Sequence, residues 1–374
     1  MRVPRARHLW RPGVAGLLTA ALATAGLAQP PADPAALEKC AEIGAPTDRL
    51  ACYDRAMGRA PAPDVPPAYA ENPVGGAPAP STAKLAPKDA PPAEATPAAG
   101  SASLLSRYWE LDAQDKRGVF NFVGYRANYV LPLHVTSRIN RSPQSPSQEP
   151  VALPNYKREE AKFQLSLRTK LFQDVLLPGA DVWAAFTQQA TWQIWNGKDS
   201  KPFRNSDYEP ELMFVVPTPE SWRRLPLGWQ WRYVQLGLAH QSNGQSDPLS
   251  RSWNRVNAAA GFERGDWSVV ARFLKRLGES AETDNNPDLV GYRGRGEFQV
   301  NWVHDKHTAQ LIYRTTLKSA KYGALQFEWT YPVFSDQPNG LRWYVQVFRG
   351  YGETLTDYNF RQTSVGAGFS FLQF

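Results

Sequence analysis

Three residue types that together make an acyl-transfer site stand close in Tyr233–Arg255, YVQLGLAHQSNGQSDPLSRSWNR. A serine hydroxyl is a weak nucleophile until a neighbouring base takes its proton, and the base needs a third group to fix its tautomer. Ser242, His240 and Asn254 supply the three types. Residues i and i+2 of a strand share a face. His240 and Ser242 therefore align with Val234, Leu236 and Leu238, while Tyr233, Gln235, Gly237, Ala239 and Gln241 take the other side. In the next run Asn254 keeps register with Val256, Ala258, Ala260 and Phe262. A soluble hydrolase would place these groups in a polar cleft. Apolar faces on neighbouring strands suit a barrel enzyme that meets its substrate in lipid.

The elements that must position them are strands. Period-2 alternation predicts runs at 119–135, 162–172, 180–195, 208–217, 230–243, 252–263, 266–276, 292–303, 307–316, 323–332, 341–350 and 363–374. These twelve runs are an even number, with lengths close to the roughly 9–11 residues that a tilted strand needs to cross a bilayer. Short turns at 263–266 and 304–306 alternate with long connections at 137–158 and 278–290, as between the two rims of an outer-membrane barrel. Residues 137–160 hold four prolines and read as loop. The chain ends in Phe374 after Val365, Ala367, Phe369 and Phe371 at alternate positions. With 13 Trp and 15 Tyr, the sequence also has the material for interfacial aromatic girdles. The expected fold is an all-β transmembrane antiparallel barrel, which closes without edges and so satisfies its backbone in lipid. A soluble β-sandwich is the competing architecture.

The chain before the barrel divides into three. Residues 1–28 carry Arg2, Arg5, Arg7 and Arg11, an apolar run at 14–25 and a small-x-small site at Gly26-Leu27-Ala28, the pattern of a secretory signal. Removing those arginines lowers the formal charge of +7 by four, so the basic balance is largely a targeting feature and does not indicate nucleic-acid binding. Residues 29–60 read as a small helical hairpin. Its cysteines, Cys40 and Cys52, are the only two in the chain and in an exported protein are most simply a disulfide. No second cysteine pair or nearby histidine completes a zinc site, and CxxCH is absent. Thr47 is a candidate cap for the second helical piece. Residues 61–103 are a linker, with eleven prolines between 61 and 100 and no means of building a core. The barrel domain is expected at 104–374.

His240-Gln241-Ser242-Asn243-Gly244 and Ser250-Arg251-Ser252-Trp253-Asn254-Arg255 resemble the signature of the outer-membrane phospholipase A family. Further segments fall in the family's order: Lys162–Leu167, Pro202-Phe203-Arg204 with Tyr208-Glu209-Pro210, Asp288 after Asn286-Pro287, and Tyr351-Gly352-Glu353 with Asp357–Phe360. The resemblance covers roughly 105–374 and implies a calcium-dependent phospholipase A of the Gram-negative outer membrane. It implies hydrolysis of sn-1 and sn-2 acyl esters of glycerophospholipids, and of lysophospholipids, under control of reversible homodimerisation. It makes Ser242 the nucleophile, His240 the base and Asn254 the orienting group, with the Gly244 N–H in the oxyanion hole. It makes the Ser250 hydroxyl and the carbonyls of Gln245 and of a second subunit's Ser200 the Ca2+ ligands, and Gln188 a polar dimer-interface residue. Position 245 is commonly arginine in the family, a difference that a main-chain carbonyl ligand tolerates. The N-terminal extension would lie in the periplasm.

Each residue has a plainer reading. A His-x-Ser pair is common, Asn254 alone suits a strand end, and Ser250 and Ser252 alone suit a polar loop. Asp247, Asp284 and Asp288 read as solvated loop residues or as an acidic cation site. A passive porin, or a structural barrel whose hairpin and loops carry its function, is the alternative to an enzyme.

Overall fold

The computed structural model describes residues 39–56, 103–200 and 203–371. The signal-like segment, most of the linker and Phe374 lie outside them. The hairpin and the barrel belong to separate compact units. In the hairpin, residues 39–41 are helical and α1 spans Pro46–Ala56, with Cys40 and Cys52 joined in a disulfide. Because α1 begins at Pro46, Thr47 lies inside it and does not precede it. Proline suits the first helical position, where its missing N–H is not needed.

Thirteen strands follow: β1 (Phe122–Gly124), β2 (Asn128–Thr136), β3 (Glu159–Phe172), β4 (Asp181–Trp192), β5 (Asn205–Pro217), β6 (Gln230–Ser242), β7 (Ser252–Arg264), β8 (Trp267–Arg276), β9 (Gly296–His304), β10 (His307–Thr315), β11 (Ala324–Pro332), β12 (Arg342–Tyr351) and β13 (Arg361–Phe371). Each from β2 to β12 pairs antiparallel with the next, and β13 returns to β2, so twelve strands close a barrel. The short β1 pairs with β3 beyond the end of β2.

Several expected strand ends shift by up to three residues, with β3 beginning at Glu159 inside the expected 137–160 loop, and two runs change more. The run predicted at 119–135 is split at Tyr125–Ala127, where Ser166 takes over the pairing. Its carbonyl accepts from Tyr125 N (3.1 Å) and Asn128 Nδ2 (3.1 Å), and its hydroxyl accepts from Arg126 N (3.1 Å). The run predicted from 292 begins at Gly296, because Leu289–Arg293 form a helical turn.

The alternation written in the sequence becomes an inside and an outside. Leu165, Phe186, Leu212, Leu236, Leu238, Leu325, Phe327, Val347 and Val365 are exposed on the outer wall, where lipid covers them. The lumen is rich in paired charge. Arg126 binds Glu209 (2.7 Å) and Glu211 (2.6 Å), and Arg255 also binds Glu209. Buried Glu353 accepts from Lys162 (2.9 Å), His134 (2.9 Å) and Ser364 (2.8 Å). Buried charges persist only when paired and hydrogen-bonded, and these are.

A helix, α2 (Leu104–Trp109), lies inside the barrel. The Ser103 hydroxyl caps it by accepting from Ser106 N (2.9 Å), and Glu263 of β7 accepts from Ser103 Oγ (2.5 Å) and Leu105 N (3.0 Å). Trp109 packs against Trp183 and Tyr233, with ring centroids 5.7 and 5.8 Å away. Gly261 makes room for this cluster, since a Cβ there would sit 2.0 Å from the Tyr233 ring. A cavity of about 270 Å³ remains, lined by this segment and by polar lumen residues such as Gln299, Asn301 and Gln310.

Candidate active site

The site residues sit where β6 and β7 approach the rim that carries the long loops. His240 pairs directly with Asn254, and Ser242 with Ser252. Val234, Leu236, Leu238 and His240 are exposed along β6, Ser242 is half-buried, and the residues between them are buried. Asn254 shares the outward face of β7, while Trp253 and Arg255 point inward. The three candidates thus stand on the outside of the barrel wall.

His240 Nδ1 lies 2.9 Å from Asn254 Oδ1. A carboxamide oxygen only accepts, so Nδ1 carries the proton and Nε2 keeps its lone pair. That is the tautomer a base needs to receive a hydroxyl proton. A neutral amide also avoids the cost of an ionised carboxylate beside lipid.

The β6–β7 loop is held by Asn243. Its Oδ1 accepts from Arg251 N (2.9 Å) and Gln245 N (3.3 Å), and its Nδ2 donates to Leu249 O (2.8 Å) and Thr356 Oγ1 (3.1 Å). Gly244 follows with φ +60°, a left-handed conformation that favours glycine. A Cβ there would come 3.2 Å from the Tyr208 ring. Among the described residues the Gly244 N–H donates to no other group, so it is free for a ligand. The buried Arg251 guanidinium is held by the carbonyls of Pro248 (3.0 Å) and Ser250 (2.7 Å), and burial pulls its pKa below that of free arginine.

The proposed metal ligands are oxygens from two loops. Ser250 and Gln245 are half-buried in the β6–β7 loop, and Ser200 is exposed in the β4–β5 loop. Asn285 Nδ2 donates to Ser250 Oγ (2.9 Å), and Asn285 Oδ1 accepts from Ser252 N (3.0 Å). One hydroxyl lone pair of Ser250 is left, and a hydroxyl with two carbonyls is the donor set a hard cation prefers. These residues therefore fit Ca2+. Asp247, Asp284 and Asp288 do not gather. They bind Gln148 (3.1 Å), Arg276 (2.7 Å) and Tyr358 respectively, and no cluster of three acidic, histidine or cysteine side chains is poised for a metal among the described residues.

Gln188 is half-buried on the outer face of β4, opposite Leu165 and Tyr208. Tyr208 in turn pairs with Ser242. Gln188, Tyr208, Ser242 and Ser252 thus form one rung across four strands. Asn243, Asn285 and Tyr208 are supporting residues that strand periodicity does not reveal. Asn243 and Tyr208 do stand inside the family-like segments, and Asn285 directly precedes one.

A closed barrel with an apolar outer wall, a filled polar lumen and its candidate chemistry outside defines a class: the outer-membrane barrels that work on their lipid-facing surface. Comparison with known proteins narrows it. A family model for phospholipase A1 matches residues 105–371. The chain is 36% identical over 273 residues to a putative phospholipase A1 of Neisseria meningitidis, covering 71% of this chain and 69% of that one. It is 34% identical to the phospholipase A1 of Escherichia coli K12, covering 68% and 83%. Among solved structures, the outer membrane phospholipase of Salmonella typhi, a dimer with bound calcium, superposes with TM-score 0.58 and 33% identity over 67% of this chain and 92% of that one. An active-site mutant of the Escherichia coli enzyme, with asparagine replaced by alanine, gives TM-score 0.58 and 32% identity over 69% and 94%. The chain belongs to the phospholipase A1, or outer membrane phospholipase A, family. It is an ester-hydrolysing phospholipase built on a barrel of the Gram-negative outer membrane.

Proposed function

We propose that this phospholipase hydrolyses acyl esters through Ser242, with His240 as base and Asn254 as the group that orients it. The observation that carries the reading is the His240–Asn254 hydrogen bond on the outer wall, with Ser242 two positions along the same face. His240 Nε2 would take the Ser242 proton as Oγ attacks the acyl carbon, then return it to the departing lysolipid alkoxide. Asn254 holds the ring throughout and keeps the proton on Nδ1. The free Gly244 N–H would stabilise the oxyanion. Water then attacks the acyl-Ser242 ester by the same proton path and releases fatty acid. Both sn-1 and sn-2 chains, and lysophospholipids, are the expected substrates.

Ca2+, held by the Ser250 hydroxyl and the Gln245 and Ser200 carbonyls, would add positive charge beside the developing oxyanion. Gln245 and Ser250 share one loop, whereas Ser200 would come from a second copy. Activity would then require a homodimer, in which Gln188, on the rung that leads to Ser242, pairs across an apolar interface. The extension before residue 104 would lie in the periplasm.

The test is hydrolysis of phospholipids labelled separately at sn-1 and sn-2 by detergent-refolded protein, wild type against Ser242→Ala, with calcium or chelator. Loss in both the variant and the chelated wild type supports the reading. Hydrolysis that survives Ser242→Ala removes the nucleophile assignment, and a cross-linked monomer fully active in calcium removes dimer control.

A further inference from the structure

The wall opposite the candidate site carries neighbouring arginines where the outer faces of β6 and β7 around the site carry no charge, the nearest being Lys275 of β8 beside Val256. The outward positions of β6 from Val234 to Ser242, and of β7 from Ser252 to Phe262, contain no Asp, Glu, Lys or Arg. Half-way round the ring, β12 and β13 end at the same rim with exposed Arg349 and Arg361 on their outer faces. Arg349 pairs with Thr363, and Arg361 with Tyr351, so the two arginines are diagonal neighbours, roughly 7–8 Å apart between Cα atoms. Arg138, just past β2, donates to the Arg361 carbonyl, and its guanidinium lies 5.3 Å from the Phe360 ring centroid.

None of the three arginines is ion-paired with a carboxylate among the described residues. The outward carboxylate on the flanking side, Glu159, stands opposite Val135, across β2 from β13. Below the arginines, Val347 and Val365 continue the same outer faces and are exposed. The arrangement is amphipathic along the barrel axis, with three guanidinium groups at the rim and an apolar wall beneath.

We propose that Arg138, Arg349 and Arg361 bind the phosphates of an outer-leaflet lipid headgroup, with its acyl chains lying along Val347 and Val365. Guanidinium forks match phosphate oxygens in pairs, and the site is remote from the hydrolytic one. It would hold an anionic lipid as a fixed neighbour on the wall that does not carry the chemistry.

The experiment uses the full chain carrying Ser242→Ala, so that hydrolysis does not enter, in zwitterionic micelles. The probe is lipid A with both phosphates, compared with lipid A stripped of them, and bound lipid is counted by native mass spectrometry. The phosphorylated form should bind more tightly. Arg349→Gln should weaken binding about fivefold, and Arg138→Gln/Arg349→Gln/Arg361→Gln about a hundredfold, on the basis of the usual contribution per basic residue at a membrane surface. Arg224→Gln/Arg264→Gln, at the other rim, should change it little. Heat-modifiable migration in gels verifies that each barrel is folded. Equal binding of the two lipids, or unchanged binding by the folded triple variant, would overturn the proposal.

Discussion

The two faces of β6 and β7 obey opposite rules. Inside the barrel, polar groups are the building material. Arg255 binds Glu209, Gln235 Nε2 reaches Asn257 Oδ1 (3.3 Å), and Trp253 Nε1 donates to Gln241 (2.9 Å). Outside, polar groups are exceptions on a wall of Val, Leu, Ala and Phe, and His240, Ser242 and Asn254 gather at one end of it. A buried polar network, when fully satisfied, fixes one packing. An isolated polar cluster facing lipid has no such structural role, because an apolar residue would serve the wall better. The contrast teaches that on these two strands an inward charge is evidence of architecture, and an outward polar row is evidence of chemistry.

The contrast can be broken from either side. The largest effect expected is on the outer face. Ser242→Ala should lower hydrolysis about 10⁴-fold or more while leaving the unfolding midpoint of the refolded protein unchanged, since the hydroxyl supports no packing. A midpoint that falls with the activity would mean that the outer row is architectural after all.

Next comes the inner face. Glu353→Gln removes the carboxylate that neutralises buried Lys162, and should cost about 3–5 kcal/mol in denaturant unfolding. Hydrolysis by the surviving folded fraction should stay near wild type. A selective loss of turnover without loss of stability would contradict the assignment of the lumen to structure.

Asn254→Ala sharpens the comparison within the outer row. It frees the imidazole to rotate and should lower turnover about 10²-fold with little change in KM, whereas an equal fall with Ser242→Ala would give Asn254 a larger part than orientation.

The smallest effect is pH-dependent. Burial alone would raise the Glu353 pKa, but Lys162 and His134 outweigh it and hold the carboxyl well below the ordinary 4.5. Its contribution is therefore complete above that ordinary value and is lost as pH falls through the lower folded value. The stability gap between wild type and Glu353→Gln should be constant near neutrality and narrow in strong acid, measured by unfolding midpoints across that range. A gap that narrows instead on the alkaline side of neutrality would contradict the ion pair.

Much of this was legible in the chain. Period-2 alternation places the twelve barrel strands and assigns His240, Ser242 and Asn254 to outward faces, because a strand that faces lipid on one side and a polar lumen on the other must alternate. The break at Tyr125–Ala127 was not legible, since Ser166, the residue that replaces the ladder there, lies on another strand. Helix α2 was hidden as well. Leu104–Trp109 is too short for a helical period, and it is fixed by contacts with Glu263, Trp183 and Tyr233 far along the chain. Asn285 was missed for the same reason, because its link to Ser250 joins two loops. The proposed Ca2+ ligands are the hardest to read from composition. Two of the three are main-chain carbonyls, which every residue has, so only resemblance singles out Gln245 and Ser200.

The most direct test of the central claim is covalent capture. The refolded wild-type protein is treated with a long-chain alkyl phosphonofluoridate, in calcium and in chelator, and the modified peptide is located by mass spectrometry. A phosphonyl group on Ser242, formed in calcium, suppressed by chelator and slowed in Asn254→Ala, is the predicted result. Modification of a different serine, or equal labelling of Ser242 with and without His240, would contradict the account.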